Sequence, residues 1–369
     1  MVNYIKTLGY YDLLFASIGH IIGAGIFSLV GITHKYAENN TWLSIVLSGG
    51  LIGIIANAYI KLGKIEIDQD VEYTVIKKAY GDNISKIVMY CAILGGIFGT
   101  YLVSKSFGNY FSDLTSLSTE ISTLLVIGIC LLMNISGISV VAIINNIVEI
   151  GALGILLLFI CIGFYKLIID KEFGFIKNSF DLSEIKKNIW NIIKGAFIII
   201  FSYFGFELLI KFNRESVNPN VHIPKAIKHS VFITVIIYTL IAFIYSYAMY
   251  IKKKYKTKTN NEKDIPMTNA IQILSNSNKY NKLVTLAGCI STFNTVLFIL
   301  AGTARLADTH LNIDRDHTIP KKSLVIISTL SILLFIIRMN LEKSALLSNT
   351  FTLILFAGVF LSVNKLKIK

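Results

Sequence analysis

Long apolar stretches separated by short polar ones run through the whole chain. Runs free of charged residues, each allowing one weak interruption, predict ten membrane-spanning helices near 10–33, 42–63, 85–111, 121–141, 144–168, 192–212, 229–251, 283–306, 323–339 and 344–363. A helix that crosses a bilayer needs about 20 mostly apolar residues. Three of the runs depart from that pattern. Glu149 interrupts the one from 144, Lys194 and Glu207 interrupt the one from 192, and only 15 uncharged residues lie between Lys322 and Arg338. The uncharged stretch from Ile121 to Val148 is too long for one span, and the turn formers at Asn134-Ile135-Ser136-Gly137 predict where it divides.

Composition supports a polytopic membrane protein. Of 369 residues 54% are hydrophobic and only 15% charged, with a mean hydropathy of +0.65, whereas a soluble domain carries about 25% charged residues. The net charge of +13 invites a nucleic-acid reading, but only four of the 35 basic residues are Arg. Nucleic-acid readers lean on Arg forks, so no nucleic-acid partner is expected. Cys91, Cys130, Cys161 and Cys289 lie inside apolar runs without metal-ligand spacing, and they read as reduced packing residues. One Lys precedes the apolar stretch that begins near Leu13, and no small-residue cleavage site follows it. That stretch is therefore expected to be a retained span.

Counted over alternate loops, Lys and Arg balance between the two sides. Much of the outer total falls in the long segment Lys252–Lys282, and long loops weigh little in setting orientation, so a cytoplasmic N-terminus is expected. The basic run from Lys252 to Lys258 reads as a solvated loop, with binding to anionic lipid heads as the alternative.

The polar segment Asp170–Lys187 leaves five spans on each side. It predicts a first repeat over 1–169, an outer connection over 170–190 and a second repeat over 191–369. The first span of each half carries an interruption at its middle: Ile22-Gly23-Ala24-Gly25-Ile26-Phe27 in one, and Phe201-Ser202-Tyr203-Phe204-Gly205-Phe206-Glu207 in the other. Glycine inside a helix costs roughly 0.5–1 kcal/mol relative to Ala. Unwound backbone at membrane depth is tolerated only where it lines a cavity or is buried in protein. Small residues can also serve merely to bring helices close, but matching interruptions in two halves point to a transporter binding site.

Four stretches carry a family resemblance. Gly19-His20-Ile21-Ile22-Gly23-Ala24-Gly25-Ile26-Phe27 is one, and Glu72-Tyr73-Thr74-Val75-Ile76-Lys77-Lys78-Ala79-Tyr80-Gly81 is the second. The third and most specific runs from Phe201 through Glu207 to Glu215-Ser216-Val217-Asn218-Pro219 and Ile223-Pro224-Lys225-Ala226-Ile227. Gly302-Thr303-Ala304-Arg305, with Pro320 after it, is a weaker fourth. Together they resemble the amino acid/polyamine/organocation transporter superfamily, of the amino acid permease type, from about residue 9 to 320.

The resemblance implies an all-α, five-plus-five inverted repeat of the LeuT-like fold, with the first and sixth helices discontinuous around one small substrate. It implies a permease working by alternating access, as symporter, antiporter or uniporter, with no enzyme activity, catalytic residues or bound cofactor. A substrate carboxylate would take the freed amides of Ala24 and Gly25, with Gly23 allowing close approach, since half-helix N-termini suit anions. An ammonium group would take the carbonyls of Ile21, Phe201 and Phe204, with the Phe201 ring covering the substrate, and Ser202 and Gly205 complete the set. Relatives usually add two spans after ten, so the chain is expected to be the core with little added, and its oligomeric state stays open.

Glu207 is an acidic group inside an apolar span, where a charge costs at least about 2.5–3.5 kcal/mol. It is the first candidate for proton coupling or for sensing an amine, with a structural carboxyl as the alternative. His20, one turn before the glycines, is a second candidate with a packing alternative. Proton-coupled relatives often carry a Lys in the fifth span, where this chain has Ala152; Glu149 lies about one turn away and is a substitute candidate. Absence of that Lys also opens sodium coupling, for which Ser291 and Thr292 offer oxygens, beside Asn294 and Thr295. Two further functions remain at this level: a polyamine or organic-cation carrier, and a non-transporting membrane sensor of the same fold.

Overall fold

The computed structural model describes residues 8–64, 70–136, 141–213, 215–256, 265–311, 313 and 319–368, with the backbone alone over 141–149. Among these residues the fold is all-helical apart from one isolated bridge between Leu8 and Ser216. The first span is two helices, α1 (Tyr10–Ile21) and α2 (Ala24–Ala37), and a short 3-10 turn leads to α3 (Thr41–Leu62). The amphipathic α4 (Val71–Tyr80) precedes α5 (Asp82–Leu114), α6 (Thr119–Ile135) and α7 (Val141–Asp170). Two short helices, α8 (Phe173–Ser179) and α9 (Leu182–Lys187), cross to the second half. There α10 (Ile189–Ile199) gives way to 3-10 turns over Ile200–Tyr203 and Phe206–Phe212, followed by α11 (Pro219–Tyr255), α12 (Pro266–Ser275), α13 (Asn278–Leu311), α14 (Lys321–Ile336) and α15 (Leu341–Lys365).

Local chemistry explains several boundaries. Pro219 and Pro266 open α11 and α12, where a missing N–H leaves no bond unmade. Ser118 accepts the Ile121 amide at the start of α6, and Asn340 accepts that of Lys343 at the start of α15. The expected division near residue 134 falls at the end of α6, at Ile135. Seven stretches of described residues are long and apolar enough to cross a bilayer, while α6 with 17 residues and α14 with 16 are shorter. Large apolar side chains such as Leu132, Ile168, Phe232 and Ile336 face outward, as a lipid solvent requires. The chain is an integral, multi-pass membrane protein.

The helices pack in two groups. α11 lies along α3 and α1, and α10 packs on α2 and α3; α5 is the axis of the other group, lying along α13, α15 and α6. In both groups hydroxyls are spent within the bundle, as in Ser17 to Ser230 and Ser48 to the carbonyl of Ala196, each at 2.7 Å, in the first and Ser348 to the carbonyl of Gly95 at 2.8 Å in the second. Lipid offers no hydrogen bonds, so a polar side chain in a span is costly unless it finds such a partner.

The run Lys252–Lys258, read as a solvated loop, is helical at its start and exposed from Lys253 to Lys256, and 257–258 lie outside the described residues. Its first residues continue α11 to Tyr255, and the Lys254 ammonium donates to both oxygens of Glu172 at 2.6 and 2.8 Å. That ammonium holds the buried Glu172 carboxyl below the usual carboxylate range, and the Tyr255 hydroxyl adds to the effect. Further on, α12 buries Met267, Ala270, Ile271 and Leu274 against α13, α11 and α2. The Lys count hid this helix, because its apolar face is only 10 residues long.

Candidate substrate site

Both expected interruptions are breaks in the helices, and they touch. In the first span α1 ends at Ile21 and α2 starts at Ala24, with Ile22 and Gly23 between them. In the sixth, the helix tightens to 3-10 at Ile200, opens at Phe204 and turns at Gly205 with φ +123°. A Cβ on Gly205 would lie 2.6 Å from the carbonyl oxygen of His20, so this position requires glycine for conformation and for space. One turn away, a Cβ on Gly25 would lie 2.7 Å from the Ser202 Oγ and would overlap the Ser202 backbone. The two breaks therefore form one layer of backbone, buried at Ile21, Ile22, Ala24, Phe201 and Ser202.

The freed backbone groups have partners. The Ala24 N–H donates to the Thr295 Oγ of α13 at 3.0 Å, and Thr295 donates its own proton to the Ser291 carbonyl at 2.8 Å. The Ile21 carbonyl accepts from the Tyr238 hydroxyl at 2.9 Å, and that hydroxyl also lies 3.1 Å from the Ser202 carbonyl. The Phe201 carbonyl accepts the Phe204 N–H at 3.2 Å. The Phe201 ring packs 5.6 Å from that of Phe204 and against Gly99 of α5, while Phe204 packs on Phe356 of α15. Among the described residues the buried Ser202 hydroxyl has no hydrogen-bond partner.

Sequence reasoning did not find Thr295 and Tyr238 as partners of the breaks. Thr295 was named only among cation oxygens, and Tyr238 sits in an ordinary apolar run whose register toward the breaks depends on how α11 crosses α1.

Of the ionisable candidates, Glu207 is at the break: its carboxylate accepts the Gly205 N–H at 2.8 Å. Glu72 of α4 is close enough to interact with it electrostatically, and the Tyr59 hydroxyl donates to Glu72 at 2.8 Å. The His20 ring packs between Phe212 and Phe298, on the wall of a cavity of about 580 Å³ that Asp12, Phe15, Ile150 and Leu153 also line. Glu149 lies in the stretch whose side chains are outside the described residues. Ser291 is buried, and the Thr292 hydroxyl donates back to the carbonyls of Gly288 and Cys289 at 2.7 and 2.9 Å. No group of three or more His, Cys, Asp or Glu that could hold a metal exists among the described residues.

Two discontinuous helices that meet at their breaks in an all-α membrane protein are the architecture of transporters. The chain is similar over nearly its whole length to solved structures of that kind. A sodium-coupled sialic acid symporter matches with a TM-score of 0.66 at 10% identity, over 96% of this chain and 78% of the other. A manganese transporter of Eremococcus coleocola matches with a TM-score of 0.61 at 10% identity, over 99% and 82%. These likenesses show the fold, which is the one expected.

The profile of the amino acid permease family matches residues 8–364, and the chain belongs to that family. Among curated proteins, cationic amino acid transporter 1 of Arabidopsis thaliana is 24% identical over 98% of this chain and 63% of its own length. The serine/threonine exchanger SteT of Bacillus subtilis is 26% identical over 64% of this chain and 54% of its own. The chain thus spans between 54% and 63% of the length of these two relatives.

Proposed function

We propose that the protein is a secondary transporter that moves amino acids across its membrane by alternating access at the paired breaks. The observation that carries this reading is the single layer of unwound backbone in which Gly205 meets His20 and Gly25 meets Ser202. Such backbone offers amides and carbonyls to the two ends of an amino acid without committing to its side chain, and that suits a family whose members are named for different amino acids. In this reading Ile21, Gly23, Ala24, Gly25, Phe201, Ser202, Phe204 and Gly205 form the site. Residues 1–169 and 191–369 are its two five-helix repeats, joined by an outer connection over 170–190, and the N-terminus is cytoplasmic.

The substrate is a small molecule, no bound cofactor takes part, and transport is proton- or sodium-coupled, or an exchange or uniport. Glu207 is the coupling group we favour, because its carboxylate is bonded to the backbone of the break itself; His20 and Glu149 are the further proton candidates, and Ser291 with Thr292 the candidate sodium ligands. The second reading is a polyamine or organic-cation carrier, which the carboxylate at the break also favours. Uptake of labelled amino acids and polyamines into proteoliposomes, with proton and sodium gradients imposed separately, tests both. Accumulation of an amino acid supports the first reading, and accumulation of polyamines alone replaces it with the second. No accumulation of any compound favours a non-transporting sensor.

A further inference from the structure

Thr295 holds a place in the break that a substrate would need. The N-terminal amides of a helix lack intrahelical acceptors, and the first of these in α2, on Ala24, is spent on the Thr295 hydroxyl. Thr295 has directed its proton to Ser291 on its own helix, so toward α2 it presents only oxygen lone pairs, as a carboxylate does. It lies over the bare face of Gly23, where a Cβ would be 2.7 Å from its Oγ. On the other side of the same helix terminus the Ser202 hydroxyl is 1% exposed, lies 2.7 Å from where a Gly25 Cβ would stand, and has no partner among the described residues. A buried hydroxyl without a partner is costly, and an incoming anion would satisfy it.

We propose that the Thr295 hydroxyl is a built-in placeholder for a substrate carboxylate oxygen: it caps the Ala24 amide in the empty protein and yields that amide on binding, while the Ser202 hydroxyl becomes the second donor. The proposal rests on the amino acid reading above. It makes Thr295 a specificity-determining residue, because only a ligand with an anionic oxygen has reason to displace it. The placeholder also weakens binding, since each binding event must break the Thr295 bond before forming its own.

The test compares ligand pairs that differ only in the carboxylate, L-arginine with agmatine and L-leucine with isoamylamine, for binding to the purified full-length protein. Thr295→Val keeps the shape and removes the acceptor. It should tighten binding of an amino acid that the wild type binds by about fivefold to 150-fold, the range set by leaving one buried amide unpaired before binding, and leave the matching amine within about twofold. Thr295→Ser should behave as wild type, and Ser202→Ala should weaken the amino acid but not the amine. Where valine disturbs folding, Thr295→Ala gives the same comparison. Unchanged amino acid binding in the Thr295 variants, or equal changes for acid and amine, overturns the placeholder. A wild type that binds no amino acid overturns the amino acid reading and the placeholder with it.

Discussion

Tyr238 is the group whose removal should most directly loosen the two breaks. Its hydroxyl, fully buried on α11, lies 2.9 Å from the Ile21 carbonyl and 3.1 Å from the Ser202 carbonyl, so one proton serves both broken spans. Phenylalanine would keep the ring, which packs 5.3 Å from that of Tyr203, and would delete only the hydrogen bonds. Two buried carbonyls would then compete for no donor. One unsatisfied buried acceptor costs about 1–3 kcal/mol, and since a single proton was shared, that figure describes the pair rather than each member. The corresponding rise in local opening is about fivefold to 150-fold. Amide hydrogen exchange reads this directly, because opening of the breaks exposes their own N–H groups. Tyr238→Phe should accelerate exchange across Ile22–Gly25 and Phe204–Glu207 while α5 and α13 keep wild-type protection. Exchange at both breaks within about twofold of wild type would show that the hydroxyl contributes nothing there, and the account of the breaks as a joined layer would be wrong.

Other outcomes follow from the same contacts. Gly205→Ala places a side chain at φ +123° and 2.6 Å from the His20 carbonyl; the backbone strain alone costs about 1–3 kcal/mol, so thermal stability and uptake should both fall, whereas Gly50→Ala, inside α3 with nothing within 4 Å, should spare uptake and raise stability slightly, as a helix-interior glycine replaced by alanine does. Glu207→Gln retains an acceptor for the Gly205 amide and should leave the fold intact while flattening the pH dependence of uptake; an unaltered pH profile would reduce Glu207 to a structural group. Because Lys254 lowers the folded pKa of Glu172, the pair contributes stability above the ordinary glutamate value of about 4.3 and loses it as pH falls through the lower folded value. Glu172→Gln should therefore reduce thermal stability at pH 7, with the gap from wild type closing on acidification, and a gap constant with pH would contradict the pairing.

The fold was legible because lipid leaves few options. A charge-free run of about 20 residues in a membrane must be helical, and the glycine pairs at Gly23/Gly25 and the turn at Gly205 marked the breaks to within a residue. Partners of the breaks were not legible. Thr295 and Tyr238 belong to α13 and α11, more than 30 residues from the groups they bond, and which face of an all-apolar helix turns inward leaves no trace in its hydropathy. α12 was missed for a related reason. Its apolar face is short, and Lys-rich sequence before it dominated the local count.

The contacts along α1 also decide how the first span can move. From its N-terminal end onward it is fastened to α11 at three levels: Tyr10 Oη lies 2.6 Å from His229 Nδ1, Ser17 bonds Ser230, and Tyr238 bonds the Ile21 carbonyl. The same end is bound to the segment after the sixth span, where the Leu8 N–H donates to the Glu215 carbonyl and the Val217 N–H to the Leu8 carbonyl, both at 3.0 Å. Toward α7 and α13, by contrast, α1 borders a largely apolar cavity of about 580 Å³. At the C-terminal end of α2 the tie is to the other group, for Glu342 of α15 accepts from Tyr36 at 2.5 Å and pairs with Lys194 at 3.6 Å. Polar contacts are directional and costly to break in lipid, whereas an apolar wall can separate and re-form with little specificity. A rearrangement that opens the side where α1 begins is therefore expected to carry α1, the Phe206–Phe212 segment and α11 together, parting at the cavity. A cysteine pair joining α1 to α11 should then leave transport intact, while one joining α1 to α7 across the cavity should stop it; the reverse pattern would show that α1 swings alone.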